Sequence, residues 1–316
     1  MNEKTIKKTD KICVIIPTLN EERGVGKVID DIKNSLKDYD FEIVISDGHS
    51  NDDTVKISKE HGAKVIFQKG IGYGDALLSG YLFSIEKFDA DILINLDADE
   101  TYEPKDMPKF LDEVISNKSD YVVGKRKVSP KNMKISHIFG NRVISSLVKN
   151  LLHVNVSDTQ CGLFAFRSYL IKNVENWGTP GWALNTELLT KAAEYGMRIK
   201  EIETEYHPRA GDAHNTTIGG GIANLSVILR MLRDSQPLLL MGSIGSFLIG
   251  LGILVGLMLV SDFINIGEIY RPHTAILVGV LVISGIQILT LGLVADMIKR
   301  TRLKRIAPIS SYYSET

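Results

Sequence analysis

Short apolar runs recur through the first third of the chain, and each one ends at a polar or glycine-rich turn. Four such runs occupy residues 12–16, 41–46, 63–68 and 92–96, and a fifth follows at 121–124. A nearly continuous apolar run is typical of a strand that is covered on both faces. The stretches between the runs have the length and composition of helices. This alternation predicts an α/β domain with a mostly parallel sheet and helices on both sides.

The last third of the chain has a different pattern. Residues 238–260 and 274–295 contain no charged side chain, and about 20 apolar residues are enough for a helix to cross a bilayer. We therefore predict two transmembrane helices. Most of the flanking basic residues lie before the first span and after the second, at Arg230, Arg233, Lys299, Arg300, Arg302, Lys304 and Arg305. The short loop between the spans, 261–273, has only Arg271, together with Asp262 and Glu268. The positive-inside rule then predicts that the N-terminal domain and the C-terminus are both cytoplasmic.

Two further segments carry apolar residues at helical spacing beside basic ones. Within 134–152, Arg142 and Ser146 fall four residues apart, on one helix face. Residues 222–233 show a similar pattern. Such a stripe is more often part of a core, but the basic residues also suit a helix that lies on a membrane surface. The predicted layout is a flexible tail at 1–10, a folded domain at 11–236 with these two interfacial helices, two membrane helices within 237–297, and a basic cytoplasmic tail at 298–316.

Composition excludes several classes of function. The formal net charge of the 316 residues is −1, so nothing favours nucleic acid as a partner. The chain has two cysteines, Cys13 and Cys161, and no Cys/His cluster has the spacing of a zinc site. We therefore expect neither a disulfide framework nor structural zinc. The polar, lysine-rich N-terminus lacks the apolar stretch of a signal peptide.

Two carboxylates follow the fourth apolar run. Asp97 and Asp99 flank Ala98 at the carboxyl end of a predicted strand, which is where ligands bind in open α/β sheets. Carboxylate oxygens suit Mg²⁺ or Mn²⁺, and nucleotide phosphates often complete the shell of such an ion. Taken alone, the pattern also fits a simple acidic turn. The glycine cluster at 70–74 lacks the spacing and position of a dinucleotide fingerprint, so it does not predict a dehydrogenase.

Three motifs in chain order resemble those of family 2 glycosyltransferases with the GT-A fold. They are VIIPTLNE at 14–21, DGHSNDDT at 47–54 and DAD at 97–99. The resemblance implies a nucleotide-sugar pocket formed by Pro17, Leu19, Glu21, Asp47, Asp97, Ala98 and Asp99. It also implies that Asp97 and Asp99 bind a divalent metal, Mg²⁺ or Mn²⁺. Two positions depart from the family pattern, because Ser46 stands where Asp is frequent and Thr101 stands where Gln is frequent.

Three later segments resemble the dolichyl-phosphate and polyprenyl-phosphate hexosyltransferases of that family. DTQCGLFAFR at 158–167 is similar to their acceptor-side motif, and WALNTELL at 182–189 is similar to the segment after it. YHPRAGDAH at 206–214 resembles their R-x-G-x-S-K loop, with Ala213 and His214 in place of Ser and Lys. The resemblance implies that Glu187 lies by the donor sugar. It implies that the lipid phosphate is held by Arg126, Arg142, Ser146 and Arg209.

These resemblances imply a membrane-anchored, metal-dependent enzyme that moves a hexose from a nucleotide sugar to polyprenyl (dolichyl) phosphate with inversion. Asp99, Arg126, Arg142, Ser146 and Arg209 would carry the catalysis. One alternative is a processive polysaccharide synthase, which shares the nucleotide motifs, but the chain has no Gln-x-x-Arg-Trp element and only two spans. A non-catalytic membrane scaffold is a second alternative. The expected partners are the nucleotide sugar, the lipid phosphate and the bilayer, and a homo-oligomer is left open.

Overall fold

The computed structural model describes residues 10–128, 142, 145–146, 149, 156–173, 184–208, 233, 236–267 and 272–305. The chain divides into two compact units, Met1–Gly221 and Ile222–Thr316. Seven strands in the first unit form one sheet. They are β1 Ile12–Thr18, β2 Phe41–Asp47, β3 Lys64–Phe67, β4 Ile92–Asn95, β5 Tyr121–Arg126, β6 Phe164–Arg167 and β7 Ile199–Thr204.

The sheet has the strand order β3-β2-β1-β4-β6-β5-β7. Pairing is parallel throughout except at β6, which runs antiparallel to both of its neighbours, β4 and β5. The predicted α/β class with a mostly parallel sheet is therefore confirmed. Because β6 is reversed, its first residue lies at the edge where the other six strands have their carboxyl ends. Polar side chains from distant parts of the sequence meet at this edge.

Helices in the described residues of the first unit fill the connections between strands. They are α1 Val25–Ser35, α2 Thr54–Glu60, α3 Tyr73–Phe88, α4 Met107–Ile115, α5 Tyr169–Asn173 and α6 Leu184–Glu194, with a 3₁₀ turn at Pro104–Asp106 before α4. All seven residues of β1 are buried, as expected for a central strand covered on both faces. Helix α1 packs Val25, Val28, Ile29 and Ile32 into the core.

Asp106 links this 3₁₀ turn to the last strand. Its carboxylate accepts hydrogen bonds from Lys109 Nζ at 2.7 Å and from Thr204 Oγ1 at 2.9 Å. Burial raises the pKa of Asp106, but these bonds outweigh it and leave the pKa below its ordinary value. The ionised carboxylate therefore contributes to the stability of the fold.

The second unit contains two long helices, α7 Pro237–Ile266 and α8 Pro272–Arg305. Both are long and apolar enough to cross a membrane, as predicted. Their exposed side chains include Phe247, Leu257 and Leu291, which suit contact with lipid rather than water. The two helices approach closely at small residues, since a Cβ placed on Gly245 would lie 2.6 Å from the carbonyl oxygen of Gly285.

The two amphipathic segments predicted at 134–152 and 222–233 fall mostly outside the described residues. Arg142, Ser145, Ser146, Lys149 and Arg233 are described, and each is helical.

Candidate active site

The ends of β1 and β2 are joined by hydrogen bonds around a buried carboxylate. Thr18 and Asp47 are register partners at the last positions of the two strands. Asp47 accepts bonds from Thr18 Oγ1 at 2.9 Å, from the Ser50 amide at 2.8 Å and from Ser50 Oγ at 2.6 Å. These bonds satisfy the buried carboxylate and fix the loop that follows β2.

The loop after β1 is cross-linked to the same segment. Asn20 has a left-handed backbone with φ 54°. Its amide donates to Ser50 Oγ, and its side-chain carbonyl accepts from the Asn51 amide at 2.8 Å. The Glu21 amide donates to Thr54 Oγ1 at 2.8 Å. The two loops therefore form one preformed wall of the site.

Three residues predicted to line a nucleotide pocket lie in or beside this wall. Pro17 is buried in β1, Leu19 is exposed and Glu21 is half-buried. Their contact with a nucleotide stays a prediction, as does that of Asp47.

The Asp97–Asp99 motif follows β4 at the same edge. Asp99 is buried, and its Oδ1 accepts bonds from the Thr101 amide at 3.1 Å and from Thr101 Oγ1 at 2.6 Å. Thr101 therefore fixes one carboxylate oxygen of Asp99. Ala98, between the two aspartates, is buried.

Asp97 is half-buried and accepts a hydrogen bond from Tyr73 Oη at 3.1 Å. Burial, followed by the charge of Asp97, raises the pKa of Tyr73 well above its ordinary value. The phenol therefore stays protonated and donates a hydrogen bond to the carboxylate. A Cβ placed on Gly162 would lie only 2.3 Å from Asp97 Oδ2. The glycine leaves room for the carboxylate in a place that any larger residue would fill.

The donor set suits a cation that is shared with a ligand. In the described part of the chain, no group of three or more His, Cys, Asp or Glu side chains is arranged to hold a metal. Mg²⁺ typically takes one or two carboxylates and completes its octahedral shell with water and substrate phosphates. The residues at 97 and 99 fit such a partly open site, and they do not fit a closed structural site.

Arg126, the last residue of β5, is held in a bidentate ion pair. Its Nε donates to Asp158 Oδ2 at 2.7 Å, its Nη2 donates to Oδ1 at 2.8 Å, and its backbone amide also donates to Oδ2. The guanidinium carbon lies 5.4 Å from the centre of the Tyr206 ring, within the range of a cation–π contact. Arg126 is thus fixed in place near the Asp97–Asp99 loop, since Tyr206 also packs edge-on against Tyr102.

The helical residue Ser145 is bonded to the segment before β6. Ser145 is buried, its Oγ lies 3.2 Å from Thr159 Oγ1, and it accepts a bond from the Thr159 amide. Arg142 and Ser146, which were predicted to share a face, are both helical and exposed. Their role at the acceptor phosphate stays a prediction. Arg209 lies outside the described residues.

Helix α6 is joined to the same segment. Asn185 Nδ2 donates to the Cys161 carbonyl at 3.3 Å, and Gln160 Nε2 donates to Thr186 Oγ1. Glu187 is half-buried one residue further along the helix. The structure therefore connects the segment resembling an acceptor motif to the segment predicted to contact the donor sugar.

Sequence reasoning did not find Tyr73 or Asn95 as parts of the site, and it placed Asp158 in the acceptor-side motif without its partner Arg126. Tyr73 lies in the glycine cluster at 70–74, where Gly72 has φ 94° and precedes the start of α3. In the sequence, the glycine cluster around Tyr73 was the one local signal. The partnership of Asp158 with Arg126 joins residues 32 positions apart, and no local pattern marks it.

Comparisons with known proteins agree with this arrangement. The family described as glycosyl transferase family 2 matches residues 13–175, just over half of the chain. A dolichyl-phosphate hexose transferase of Haloferax volcanii is 34% identical over 228 residues, covering 72% of this chain and 96% of that protein. A UDP-N-acetylglucosamine–dolichyl-phosphate N-acetylglucosaminyltransferase of Methanococcus voltae is 31% identical over 247 residues, covering 70% and 96%.

A solved structure shares the fold of the first unit. It is glucosyl-3-phosphoglycerate synthase from Mycobacterium tuberculosis in complex with Mn²⁺ and UDP-glucose. The TM-score is 0.58, with 20% identity, and the match covers 72% of this chain and 79% of that chain. The sheet described above is therefore of the GT-A type.

Proposed function

This chain belongs to glycosyltransferase family 2, and on that basis we propose that it transfers a hexose from a nucleotide sugar to a polyprenyl phosphate. The main support is the shared sheet edge, where the Asp97–Asp99 pair follows β4 and Arg126 ends the parallel strand β5. Carboxylates suit a cation bound to a diphosphate, and a fixed guanidinium suits a second phosphate. The two dolichyl-phosphate transferases that resemble this chain support the same acceptor class. The product would be a lipid-linked sugar donor for glycosylation.

On the donor side, the cross-linked loops after β1 and β2 would receive the nucleotide. Asp47 would contact the base, and Glu21 would lie beside it. Asp97 and Asp99 would hold Mg²⁺ or Mn²⁺, which when bound neutralises the departing nucleoside diphosphate. Glu187 would lie by the sugar. A GDP-mannose or UDP-glucose type of donor fits this arrangement.

On the acceptor side, the nucleophile is already an anion. The enzyme therefore has no hydroxyl to deprotonate, and positioning dominates the rate. Asp158 holds the Nε–Nη2 side of the Arg126 guanidinium and so fixes the orientation in which Arg126 would meet a phosphate. Arg142 and Ser146 would bind the same phosphate from the exposed helix face, together with Arg209. A single displacement on the anomeric carbon would invert its configuration.

The orientation in the membrane follows from charge. All of the lysines and arginines that flank the two spans, except Arg271, lie on one side, so the active site and the C-terminus would face the cytoplasm, where nucleotide sugars are made. A cysteine replacing Ser261 should react with an impermeant thiol reagent added to sealed cells, and one replacing Ser310 should not. The native thiols of Cys13 and Cys161 are buried, so they should add little background labelling. The opposite labelling pattern would contradict the orientation.

The reaction is tested by incubating membranes that contain the protein with a panel of radiolabelled nucleotide sugars and then extracting lipid. One donor should label the organic phase, EDTA should abolish the label, and Mg²⁺ or Mn²⁺ should restore it. Asp99→Ala should lower the rate by orders of magnitude. Label in an insoluble polymer would favour a polysaccharide synthase, and no label from any donor would favour a scaffold.

The acceptor site is tested by Arg142→Ala. Losing one charge-assisted contact costs about 1.5–3 kcal/mol, so kcat/KM for polyprenyl phosphate should fall about 10- to 100-fold, while nucleotide-sugar binding measured by calorimetry should stay unchanged. Lys149→Ala removes another exposed cation from the same helical segment and is the matched control. Equal effects of the two changes would point to general surface charge and would remove Arg142 from the site.

A further inference from the structure

The Asp97 carboxylate is contacted on both of its oxygens by residues outside its own loop. Tyr73 Oη, from the first turn of α3, donates to Oδ1 at 3.1 Å. On the other side, the Gly162 backbone lies so close to Oδ2 that a Cβ there would be 2.3 Å away. The carboxylate is therefore restricted from two directions before any ligand binds.

The residues that make these contacts are themselves fixed. Asn95, the buried last residue of β4, donates from Nδ2 to the Gly162 carbonyl at 2.7 Å and lies 3.5 Å from Tyr73 Oη. The Gly162 amide donates to Tyr102 Oη at 2.7 Å. Each group on either side of Asp97 thus has at least one further hydrogen bond that sets its position.

We infer that Tyr73 is a positioning residue for the metal, because its hydroxyl, with Asn95 and Gly162, orients the Asp97 carboxylate toward the cation. This inference rests on the metal site of the proposed function. A metal ligand that can rotate must lose that freedom when the ion binds, and an outer hydrogen bond removes it in advance. Gly162 belongs to the same segment as Asp158. The contacts of Gly162 with Asp97 and Asn95 therefore also join the predicted acceptor-side segment to the Asp97–Asp99 loop.

The test is Tyr73→Phe, which keeps the ring and removes only the hydroxyl. The full-length protein in detergent micelles is titrated with Mn²⁺ in the presence of saturating UDP or GDP, and free Mn²⁺ is measured by electron paramagnetic resonance. Loss of an outer-shell partner should weaken Mn²⁺ binding about 10- to 100-fold. In the transfer assay the Mn²⁺ concentration for half-maximal rate should rise, and KM for polyprenyl phosphate should hardly change.

The chain offers a matched control in Tyr39→Phe. Tyr39 Oη also donates to an aspartate, Asp112 Oδ1, at 2.7 Å, but this hydrogen bond is exposed to solvent. This variant should bind Mn²⁺ as the native protein does. Both variants should melt within a few degrees of the native protein, so that an effect on Mn²⁺ cannot be attributed to unfolding.

Asp97→Asn separates this inference from the proposed metal site. If Asp97→Asn weakens Mn²⁺ binding and Tyr73→Phe does not, the positioning role of Tyr73 is wrong and the metal site stands. If neither change affects Mn²⁺ binding, Asp97 is not a ligand and both proposals fall. Equal weakening by Tyr73→Phe and Tyr39→Phe would also overturn the inference, since the effect would then not be specific to the site.

Discussion

The Arg126–Asp158 ion pair has a close geometric counterpart in the same domain, Arg198–Asp120. In each pair, Nε, Nη2 and the backbone amide of the arginine donate to a single carboxylate. The Nε and Nη2 distances are 2.7 and 2.8 Å in the first pair and 2.9 and 2.8 Å in the second. The pairs differ in burial, because the Arg126 side chain is 7% exposed and that of Arg198 is 55% exposed.

Burial should decide what each pair contributes to stability. In Asp158→Ala, the Arg126 cation stays buried without its partner, which costs about 3–5 kcal/mol. In Asp120→Ala, water can hydrate Arg198, so the cost should be about 0.2–1 kcal/mol. In a domain of this size, 1 kcal/mol shifts Tm by about 2–4 °C. Asp158→Ala should therefore lower Tm by about 6–20 °C, and Asp120→Ala by only a few degrees.

The measurement is thermal unfolding of the full-length protein in detergent, followed by circular dichroism. A double variant, Arg126→Met with Asp158→Leu, should recover most of the loss, because removing both charges also removes the cost of leaving one of them unpaired. Equal losses in the two aspartate variants would refute the argument from burial. A double variant no more stable than Asp158→Ala would refute it as well.

Three further predictions concern other parts of the molecule. Gly245→Leu should loosen the packing of α7 on α8 and lower resistance to proteolysis in detergent, whereas Gly250→Leu should not, because a Cβ on Gly250 has no neighbour within 4 Å. The pKa of Asp106 is lowered in the fold, so its contribution to stability should be complete above the ordinary carboxyl pKa of 3.8 and should be lost as the pH falls below that value. In the Asp106→Asn variant, the unfolding midpoint should therefore depend less on pH in this acidic range. Burial raises the pKa of Cys13 and of Cys161 to about 12, so a thiol reagent at pH 8 should react with both only after denaturation.

The part of the fold that could be predicted is the part in which burial is continuous along the chain. Strands β1, β2, β4 and β5 are apolar runs because they lie inside the sheet and are mostly buried, and the membrane helices are uncharged stretches. The edge strand β3 is an exception, since it was predicted from a short apolar run although none of its residues is fully buried. Strand β7 was not predicted, since in Ile199–Thr204 only the last residue is buried. The reversed direction of β6 was not predictable either, because the pattern of a four-residue strand, here FAFR, carries no sign of direction.

The candidate site divides in the same way. Asp97 and Asp99 were predicted as metal ligands because two carboxylates one residue apart at a strand end form a local pattern. Arg126 was noted in the sequence as a basic residue at a strand end. The carboxylate that fixes it, that of Asp158, lies 32 residues further along the chain. Tyr73 could not be identified, since its contact with Asp97 depends on how α3 packs beside β4. Motifs thus located the candidate ligands, and the tertiary fold showed which groups contact them.

The reversal of β6 has a consequence for how this sheet can change. Parallel neighbours need a crossover that spans the sheet, but β5 and β6 are antiparallel neighbours, so the connection between them leaves and re-enters at one edge. Its length is therefore not set by the width of the sheet. Residues 127–163 are thus the place where an insertion could change the surroundings of Arg126 and Asp158 while the parallel strands β1 to β4 keep their register.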